Sequence, residues 1–161
     1  ENVNINRLCD EAINFCFHAM PANAPGFNCR IVKEYSEDLP EVNMARSEVS
    51  RVILNLLNNA VYALRQKKQS GSEPDFDPVI TVTTRQEKGK AVIINRDNGT
   101  GIPEKVMEKI FVPFFTTKPP NEGTGLGLSM SFDIIKAHGG VLTARNQNGA
   151  VFEIRLPCGD S

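Results

Sequence analysis

The 161-residue sequence lacks the features that mark several classes of protein. Charge of one sign is not in excess, because 18 lysines and arginines face 19 aspartates and glutamates, so bulk electrostatics do not favour nucleic acid or an anionic membrane. No apolar run approaches the roughly 18 residues of a membrane-spanning helix. The first residues show no basic-then-apolar signal pattern. These absences predict a domain that contacts neither nucleic acid nor a membrane.

Cysteine is also scarce, and its spacing excludes the common cysteine-based sites. The four cysteines form no CxxC pair and no Cys/His cluster, which disfavours a zinc site. A domain of this size needs no disulfides, so the thiols are predicted to be reduced, buried and cytoplasmic. The chain has no initiator methionine. We therefore expect one excised domain over residues 1–161, whose longer parent protein can be anchored to a membrane.

Hydrophobic periodicity predicts a mixture of helices and strands. Apolar residues at helical spacing predict helices over 5–19, 46–68 and 127–138. Short β-rich runs predict strands over 27–35, 79–86, 90–96, 141–147 and 150–157, with turns near Gly89 and at Asn148–Gly149. The predicted fold is α+β, a two-layer sandwich in which one face of a sheet is covered by helices.

Three residue types suggest where the helices begin and end. Ser47 is predicted to be the N-cap of the second helix, and Pro103 to be the first residue of a short helix. Gly139 and Gly140 are predicted to stop the third long helix. His138 lies in the last turn of that helix, where it can interact with free carbonyl groups.

Two asparagines on the second helix are candidates for a metal site. Asn55 and Asn59 are four residues apart and therefore share a face beside the apolar stripe. Carboxamide oxygens suit Mg²⁺, which takes its remaining ligands from water and phosphates. The same pattern is also typical of a solvated helix flank, and both readings stay open for this pair.

The stretch DNGTG follows a predicted strand directly. Asp97 at the strand end can accept a hydrogen bond from the exocyclic amine of a purine, and the glycines allow the backbone to approach the ring. A simple Asp-Asn-Gly turn explains the same residues equally well.

A second glycine-rich stretch, GTGLGLS, occupies residues 123–129 and precedes a helix. It matches neither GxGxxG nor a P-loop, but glycines before a helix N-terminus favour polyphosphate binding. The preceding IFVPFFTTKPPNE supplies an apolar hinge of Phe111, Phe114 and Phe115, followed by Thr116, Thr117 and Lys118 as phosphate donors. Residues 96–129 are therefore predicted to form a lid over a nucleotide.

In this order, NLLNNA, DNGTGIP, IFVPFFTTK and GTGLGLS resemble the N, G1, F and G2 boxes of sensor histidine kinases. These boxes belong to the catalytic ATP-binding domain, in the superfamily shared with DNA gyrase, Hsp90-type chaperones and MutL. The short lid is similar to that of nitrogen-regulator kinases. The resemblance covers nearly the whole chain. It implies a mixed, mostly antiparallel sheet with three helices on one face.

The resemblance also implies a role for each matching residue. Asn59 would hold Mg²⁺, Asn55 would support the metal or phosphates in catalysis, and Asp97 would bind the adenine amine. Gly99, Gly101 and Ile102 would shape the adenine pocket. Lys118 would act catalytically at the γ-phosphate beside Thr117. The remaining nucleotide-binding positions would cradle the phosphates: Gly123, Thr124, Gly125, Leu126, Gly127 and Leu128.

Two positions depart from the pattern of the family. Tyr62 stands at a nucleotide-binding position where many histidine kinases have a lysine. Val151 stands where many have a hydroxyl that helps to hold adenine through water. Phosphate charge would then be met by Mg²⁺, Lys118 and the helix N-terminus.

The resemblance implies ATP and Mg²⁺ as ligands, a separate histidine phosphoacceptor and dimerisation domain as partner, and a response regulator downstream. Neither His18 nor His138 has the sequence context of a phosphoacceptor. We therefore expect a monomeric fragment that binds ATP with almost no self-phosphorylation.

Three rival functions are a gyrase- or MutL-like ATPase, an anti-sigma-type serine kinase, and a non-catalytic nucleotide-binding module. Asn55 occupies the position of the water-activating glutamate of the gyrase-like ATPases, which favours the kinase reading.

Overall fold

The computed structural model of the protein describes residues 1–19, 28–116 and 127–158. Within these ranges the helices are α1 (Ile5–Asn14), α2 (Arg46–Ser70), α3 (Glu104–Met107) and α4 (Gly127–Ala137), and α1 continues into a π-helical segment, Phe15–Ala19. The strands are β1 (Asn2–Val3), β2 (Arg30–Glu34), β3 (Val42–Asn43), β4 (Val79–Glu87), β5 (Lys90–Asp97), β6 (Val141–Asn146) and β7 (Ala150–Pro157).

The main sheet has five strands in the order β2-β4-β5-β7-β6. The β2–β4 pair is parallel, and the other three pairs are antiparallel. Helices α1, α2 and α4 pack on one face. The predicted two-layer sandwich is confirmed. A small antiparallel ribbon of β1 and β3 was not predicted, because two-residue strands are too short to show a periodic pattern.

Both hairpins turn through residues with positive φ. Lys88 and Gly89 have φ values of 50° and 76° between β4 and β5, and Asn148 and Gly149 have values of 55° and 130° between β6 and β7. Turns of this hand match the right-handed twist of paired strands. The predicted turns are confirmed at both positions.

The core lies between α2 and the inner face of the sheet. The apolar stripe of α2 is buried on that face, and Val61 joins the residues that the spacing predicts. The buried residues of α2 are Val49, Val52, Ile53, Leu56, Leu57, Ala60, Val61 and Leu64. Within the described ranges, no helix is long and apolar enough to cross a membrane.

Two of the predicted helix starts are wrong. The N-cap of α2 is Ala45, which makes no side-chain capping bond, and Ser47 is exposed within the first turn. Pro103 is the N-cap of α3 instead of its first residue. The stop at Gly139 and Gly140 is confirmed, since their N–H groups donate to the carbonyls of Lys136 and Ile135 in a Schellman arrangement.

His138 joins the end of α4 to the start of α2. Its Nε2 accepts from the Ala45 N–H at 3.0 Å, and its Nδ1 lies 2.8 Å from the Ile134 carbonyl oxygen. Because Nε2 accepts, the proton lies on Nδ1, which donates to that carbonyl. The histidine therefore caps both helices at once.

Replacing His138 by alanine is expected to lower the free energy of unfolding by about 1 kcal/mol, because the Ala45 N–H loses its acceptor. Thermal or urea unfolding measures the change. His18→Ala is the control, since the His18 side chain is exposed. Equal effects of the two substitutions would contradict the capping role.

Candidate functional site

Asp97, the last residue of β5, is a buried carboxylate with only 5% of its surface exposed. Its Oδ1 accepts from the Gly99 N–H at 2.8 Å and the Ala150 N–H at 3.3 Å. Burial raises the pKa of this carboxyl, while the two hydrogen bonds and Lys67 oppose the rise. No residue in the described part of the chain donates to Oδ2. That oxygen is left for a ligand with an N–H group.

Gly99 brings the DNGTG turn against α2. A Cβ atom at Gly99 would lie 3.0 Å from Asp97 Oδ1 and 3.7 Å from both Ala63 Cβ and Leu64 Cδ2. The turn after β5 and the second half of α2 therefore form one wall of the site, and a side chain at position 99 would crowd the Asp97 carboxylate.

Asn146, at the end of β6, holds the other side of the same turn. It imitates a backbone pair, since the Ile102 N–H donates to its Oδ1 at 2.7 Å and its Nδ2 donates to the Ile102 carbonyl at 2.7 Å. Gly101 has a φ of 85°, and a Cβ there would lie 2.8 Å from Asn146 Oδ1. Sequence reasoning missed Asn146, whose role depends on a contact across 44 residues.

Lys67 and Asn98 support the turn from behind. Lys67 Nζ donates to the Asn98 carbonyl at 3.3 Å and lies 4.4 Å from the centre of the Phe76 ring. The Asn98 side chain accepts from the Val79 N–H and donates to the Asp77 carbonyl, both at 2.9 Å. These two residues were also not predicted as parts of the site. Their contacts hold backbone segments whose relative positions cannot be read from the sequence.

The opposite end of the site lies where α2 meets α4. Asn55 Nδ2 donates to Ser131 Oγ at 3.3 Å, and a Cβ at Gly127 would lie 2.5 Å from Asn55 Oδ1. Gly127 is the first residue of α4, so a side chain there would collide with the Asn55 carboxamide. Leu128 is partly buried against the core.

Helix α2 spans the site from end to end. Asn55 contacts α4, and Ala63, eight residues later, contacts the Asp97 turn, a distance of about 12 Å along the helix axis. Asn59 and Tyr62 lie between them and are half-buried. This spacing is of the order of the length of a nucleoside triphosphate.

The structure thus brings Asp97, Gly99, Gly101 and Ile102 together at one end, and Asn55 and Gly127 together at the other. The remaining predicted positions lie outside the described residues: Thr117, Lys118, Gly123, Thr124, Gly125 and Leu126.

Two of the three phenylalanines of the predicted hinge pack against the domain. Phe111 packs against Phe132 of α4 with ring centres 5.1 Å apart, and Phe115 is partly buried against the core. Phe114 is 72% exposed and has a φ of 68°, so it does not share the packing of the other two.

Val151, the position that lacks the hydroxyl of many relatives, does not face the site. Val151 pairs with Arg96 and is buried with Val92 and Ile94 on the outer face of the sheet, opposite the site. Ala150 lies on the face of the site, and its N–H donates to Asp97. The position that can approach a bound base is therefore 150.

The comparison with known families agrees with this geometry. Residues 44–160 match the family of histidine kinase-, DNA gyrase B-, and HSP90-like ATPases. The chain belongs to this ATPase family. Among the residues described in this ATPase domain, no group of three or more His, Cys, Asp or Glu side chains could hold a metal ion.

Curated relatives of the ATPase domain are sensor kinases. Two-component sensor PprA of Pseudomonas aeruginosa is 38% identical over 141 residues, which are 87% of this chain and 14% of the relative. Sporulation kinase A of Bacillus subtilis is 36% identical over 98% of this chain and 24% of its own length. Sensory histidine kinase/phosphatase NtrB of Rhizobium leguminosarum bv. phaseoli is 32% identical over 96% of this chain and 40% of its own length. The chain spans less than half the length of each.

Solved structures give the same result. The nucleotide-free catalytic domain of histidine kinase ThkA superposes on the ATPase domain with a TM-score of 0.79 and 32% identity, covering 98% of this chain and 95% of that one. ThkA in complex with response regulator protein TrrA matches with a TM-score of 0.75 and 28% identity, covering 99% and 42%. The predicted similarity to histidine kinase catalytic domains, including that of NtrB, is confirmed.

Proposed function

We propose that this ATPase domain binds Mg-ATP and donates the γ-phosphate to a histidine on a separate dimerisation and phosphoacceptor domain, in two-component signalling. Two features, one at each end of the site along α2, carry the proposal. A buried carboxylate with one open oxygen lies at one end, and a glycine-started helix against Asn55 lies at the other.

The Asp97 end suits the base. Oδ2 can accept from an exocyclic amine, while Oδ1 stays occupied by two backbone N–H groups, which fixes the carboxylate plane. The start of α4 suits the phosphates, because the first N–H groups of a helix and its dipole attract anions. Gly127 leaves room there for the Asn55 carboxamide, and Leu128 anchors that first turn in the core.

Mg²⁺ would neutralise phosphate charge when bound, and the residues present fit it. Asn59 offers a carboxamide oxygen one helical turn from Asn55, in the half-buried strip between the two ends. In the transfer, the incoming histidine nitrogen forms a bond to the γ-phosphorus. The bond from that phosphorus to the β-phosphate oxygen breaks, and its electron pair leaves on ADP.

Asn55 favours transfer to histidine over hydrolysis. A carboxamide cannot accept a proton from water, and this one donates to Ser131. Without a base at this position, water in the site stays a weak nucleophile and the γ-phosphate is kept for a better one.

The wider assignments belong to the same proposal. We infer that residues 1–161 are one catalytic domain, monomeric as a fragment and cytoplasmic. Lys118 and Thr117 would contact the γ-phosphate, Tyr62 would line the nucleotide site, and the phosphorylated histidine domain would pass its phosphate to a response regulator.

The test is calorimetric titration with a non-hydrolysable ATP analogue, with and without Mg²⁺. We expect a micromolar-to-millimolar dissociation constant, about −8 to −4 kcal/mol, that tightens with Mg²⁺. Labelled ATP incubated with a related phosphoacceptor domain should then label that domain, with little label on this chain. An absence of nucleotide binding in both conditions would reject the proposal.

Asn59→Ala should remove the effect of Mg²⁺, so that the affinity with the metal falls to the affinity without it. Asn58→Ala is the matched control, because Asn58 accepts from Cys16 Sγ at 3.4 Å on the α1 side of the same helix. A variant at position 59 that keeps the full response to Mg²⁺ would remove Asn59 from the metal site.

A further inference from the structure

Lys67, in the last turn of α2, is a lysine whose side chain is largely buried. Only 15% of that side chain is exposed, and its Nζ donates to the Asn98 carbonyl at 3.3 Å. Nζ also lies 4.4 Å from the centre of the Phe76 ring and 3.6 Å from Glu73 Oε1. Glu73 is 61% exposed, so water weakens its attraction for the ammonium group. Because a buried charge destabilises a fold unless it is paired, the position of Lys67 calls for an explanation.

The neighbouring Lys68 shows that a lysine at this helix end does not have to be buried. Lys68 lies in the same last turn and is exposed, and its Nζ donates to the Phe76 carbonyl at 2.8 Å. Both lysines suit the negative end of the helix, and both contact the loop that follows it. Lys67 differs from Lys68 in that it also bonds the turn after β5.

The carboxylate of that turn belongs to Asp97, the residue directly before Asn98. Asp97 is 5% exposed, and the two groups that donate to its Oδ1 are backbone N–H groups without net charge. Burial raises the pKa of this carboxyl, and Lys67 is the charged side chain that opposes the rise. Since both groups are shielded from water, the attraction between them is stronger than it would be at the surface.

The other titratable groups near Asp97 do not supply a positive charge. Cys29 lies before β2, and burial raises the pKa of its thiol to about 12, with the charges of Asp77 and Asp97 adding to the rise. The thiol therefore stays neutral. Asp77 is 68% exposed and is paired with Arg30. In the described part of the chain, the positive charge that acts on Asp97 is thus that of Lys67.

We propose that Lys67 is a positioning residue of the nucleotide site, whose buried charge keeps Asp97 in the ionised form that binds the base. The inference rests on the proposed function. A protonated carboxyl would place a hydrogen either on Oδ2, against the donor of the base, or on Oδ1, against two backbone N–H groups. Nucleotide binding is therefore linked to the ionisation of Asp97, and Lys67 extends binding to lower pH.

Lys67→Met tests the proposal, because methionine keeps an unbranched apolar side chain and has no charge. As the pH falls from about 8 to about 5, the variant should lose affinity for a non-hydrolysable ATP analogue at a higher pH than the wild type does. The ratio of the two dissociation constants should rise about three- to tenfold over this range. Isothermal titration at a fixed Mg²⁺ concentration measures this ratio, in which the titration of the nucleotide itself cancels. Loss of the hydrogen bond to Asn98 alone would weaken binding by the same factor at every pH.

Lys68→Met is the matched control, because it removes the same charge from the next residue and a bond to the same loop. It should keep the pH profile of the wild type. Lys67→Arg keeps the charge and should also keep the profile. Lys67→Gln keeps an N–H donor without the charge and should behave as Lys67→Met does. Should Lys67→Met not fold, Lys67→Gln carries the same comparison.

The outcomes separate the two proposals. A wild-type domain that binds no ATP analogue at any pH would overturn the proposed function and this inference with it. A wild-type domain that binds, with a Lys67→Met variant weakened equally at every pH or not weakened at all, would overturn the inference alone. An equal change of the pH profile in Lys68→Met would assign the effect to net charge and would also overturn it.

Discussion

Asp97→Asn should weaken binding of an ATP analogue about 100-fold, with the fold intact. The asparagine oxygen can keep both backbone N–H groups, from Gly99 and Ala150, so its NH₂ group must take the place of Oδ2. A donor then faces the donors of the adenine amine, and a hydrogen bond to a charged acceptor, about 1.5–3 kcal/mol, is lost. Isothermal titration of both proteins with ATP and GTP analogues measures the change.

The same substitution should not lower the free energy of unfolding of the nucleotide-free domain. Burial raises the pKa of Asp97 in the folded protein above the unfolded value of 3.8. Between these two values the folded state binds more protons than the unfolded state, so the wild type loses stability as the pH rises through that window. Asp97→Asn lacks this loss and should be at least as stable as the wild type at pH 7. Its unfolding free energy should vary less between pH 3.5 and pH 7, about the range of carboxyl titration.

An Asp97→Asn variant that binds ATP with wild-type affinity would show that Oδ2 is not the adenine contact. A variant that unfolds at a much lower temperature would assign the carboxylate to the turn alone. Glu153→Gln is the control, because Glu153 is a buried carboxylate on the outer face of the sheet, paired with Arg145 and Arg155. It should lose stability and keep its affinity.

Gly149→Ala should destabilise the domain by about 3 kcal/mol or more. Gly149 has a φ of 130°, and a Cβ there would lie 2.0 Å from the carbonyl oxygen of Asp97 and 3.0 Å from Asn98 Cα. Both atoms belong to the backbone, so no side chain can move aside to make room. Strain at this φ contributes about 1–2 kcal/mol and overpacking about 1–3 kcal/mol. Urea unfolding, with the same m-value fitted for the wild type and the variant, measures the loss of unfolding free energy.

Gly71→Ala separates the collision from the strain. Gly71 also has a positive φ, of 69°, but a Cβ there would meet nothing within 4 Å. It should therefore lose only the conformational part, about 1–2 kcal/mol. Gly149→Ala should in addition weaken nucleotide binding, because the displaced backbone carries Asp97. Equal losses of unfolding free energy in the two variants would mean that the β6–β7 hairpin shifts to make room for the methyl group at no further cost.

The sequence predicted the layers of the fold well, and the physical reason is visible in α2. Its buried residues recur with the helical period, and the strands from β4 to β7 alternate clearly enough to be placed within a residue or two. The predicted helix boundaries are wrong where a single residue decides them. Ser47 has a good capping side chain, but the helix starts earlier and His138 caps it from another element.

Within the site, residues that act through their own chemistry could be found from the sequence, and residues that act through position could not. Asp97 and the glycines after it were predicted from their order. Asn146, Asn98 and Gly149 depend on which strand ends meet, and that is settled only by the β5–β7 register. Val151 is a different case, because the alternation that buries Phe152 already assigns Val151 to the opposite face.

The two-way bond between Asn146 and Ile102, with Gly149 against Asp97, ties both ends of the segment 98–149 to one point of the sheet. Loop-closure entropy depends only weakly on length once the ends are held, and doubling a flexible loop costs about 0.6 kcal/mol. Lengthening the connection between α3 and α4, which lies within this segment, is therefore expected to change the stability of the sheet by less than about 1 kcal/mol. Insertions there are expected to be tolerated, while insertions between Ile102 and Asp97 or between Asn146 and Ala150 would separate the residues that these contacts join.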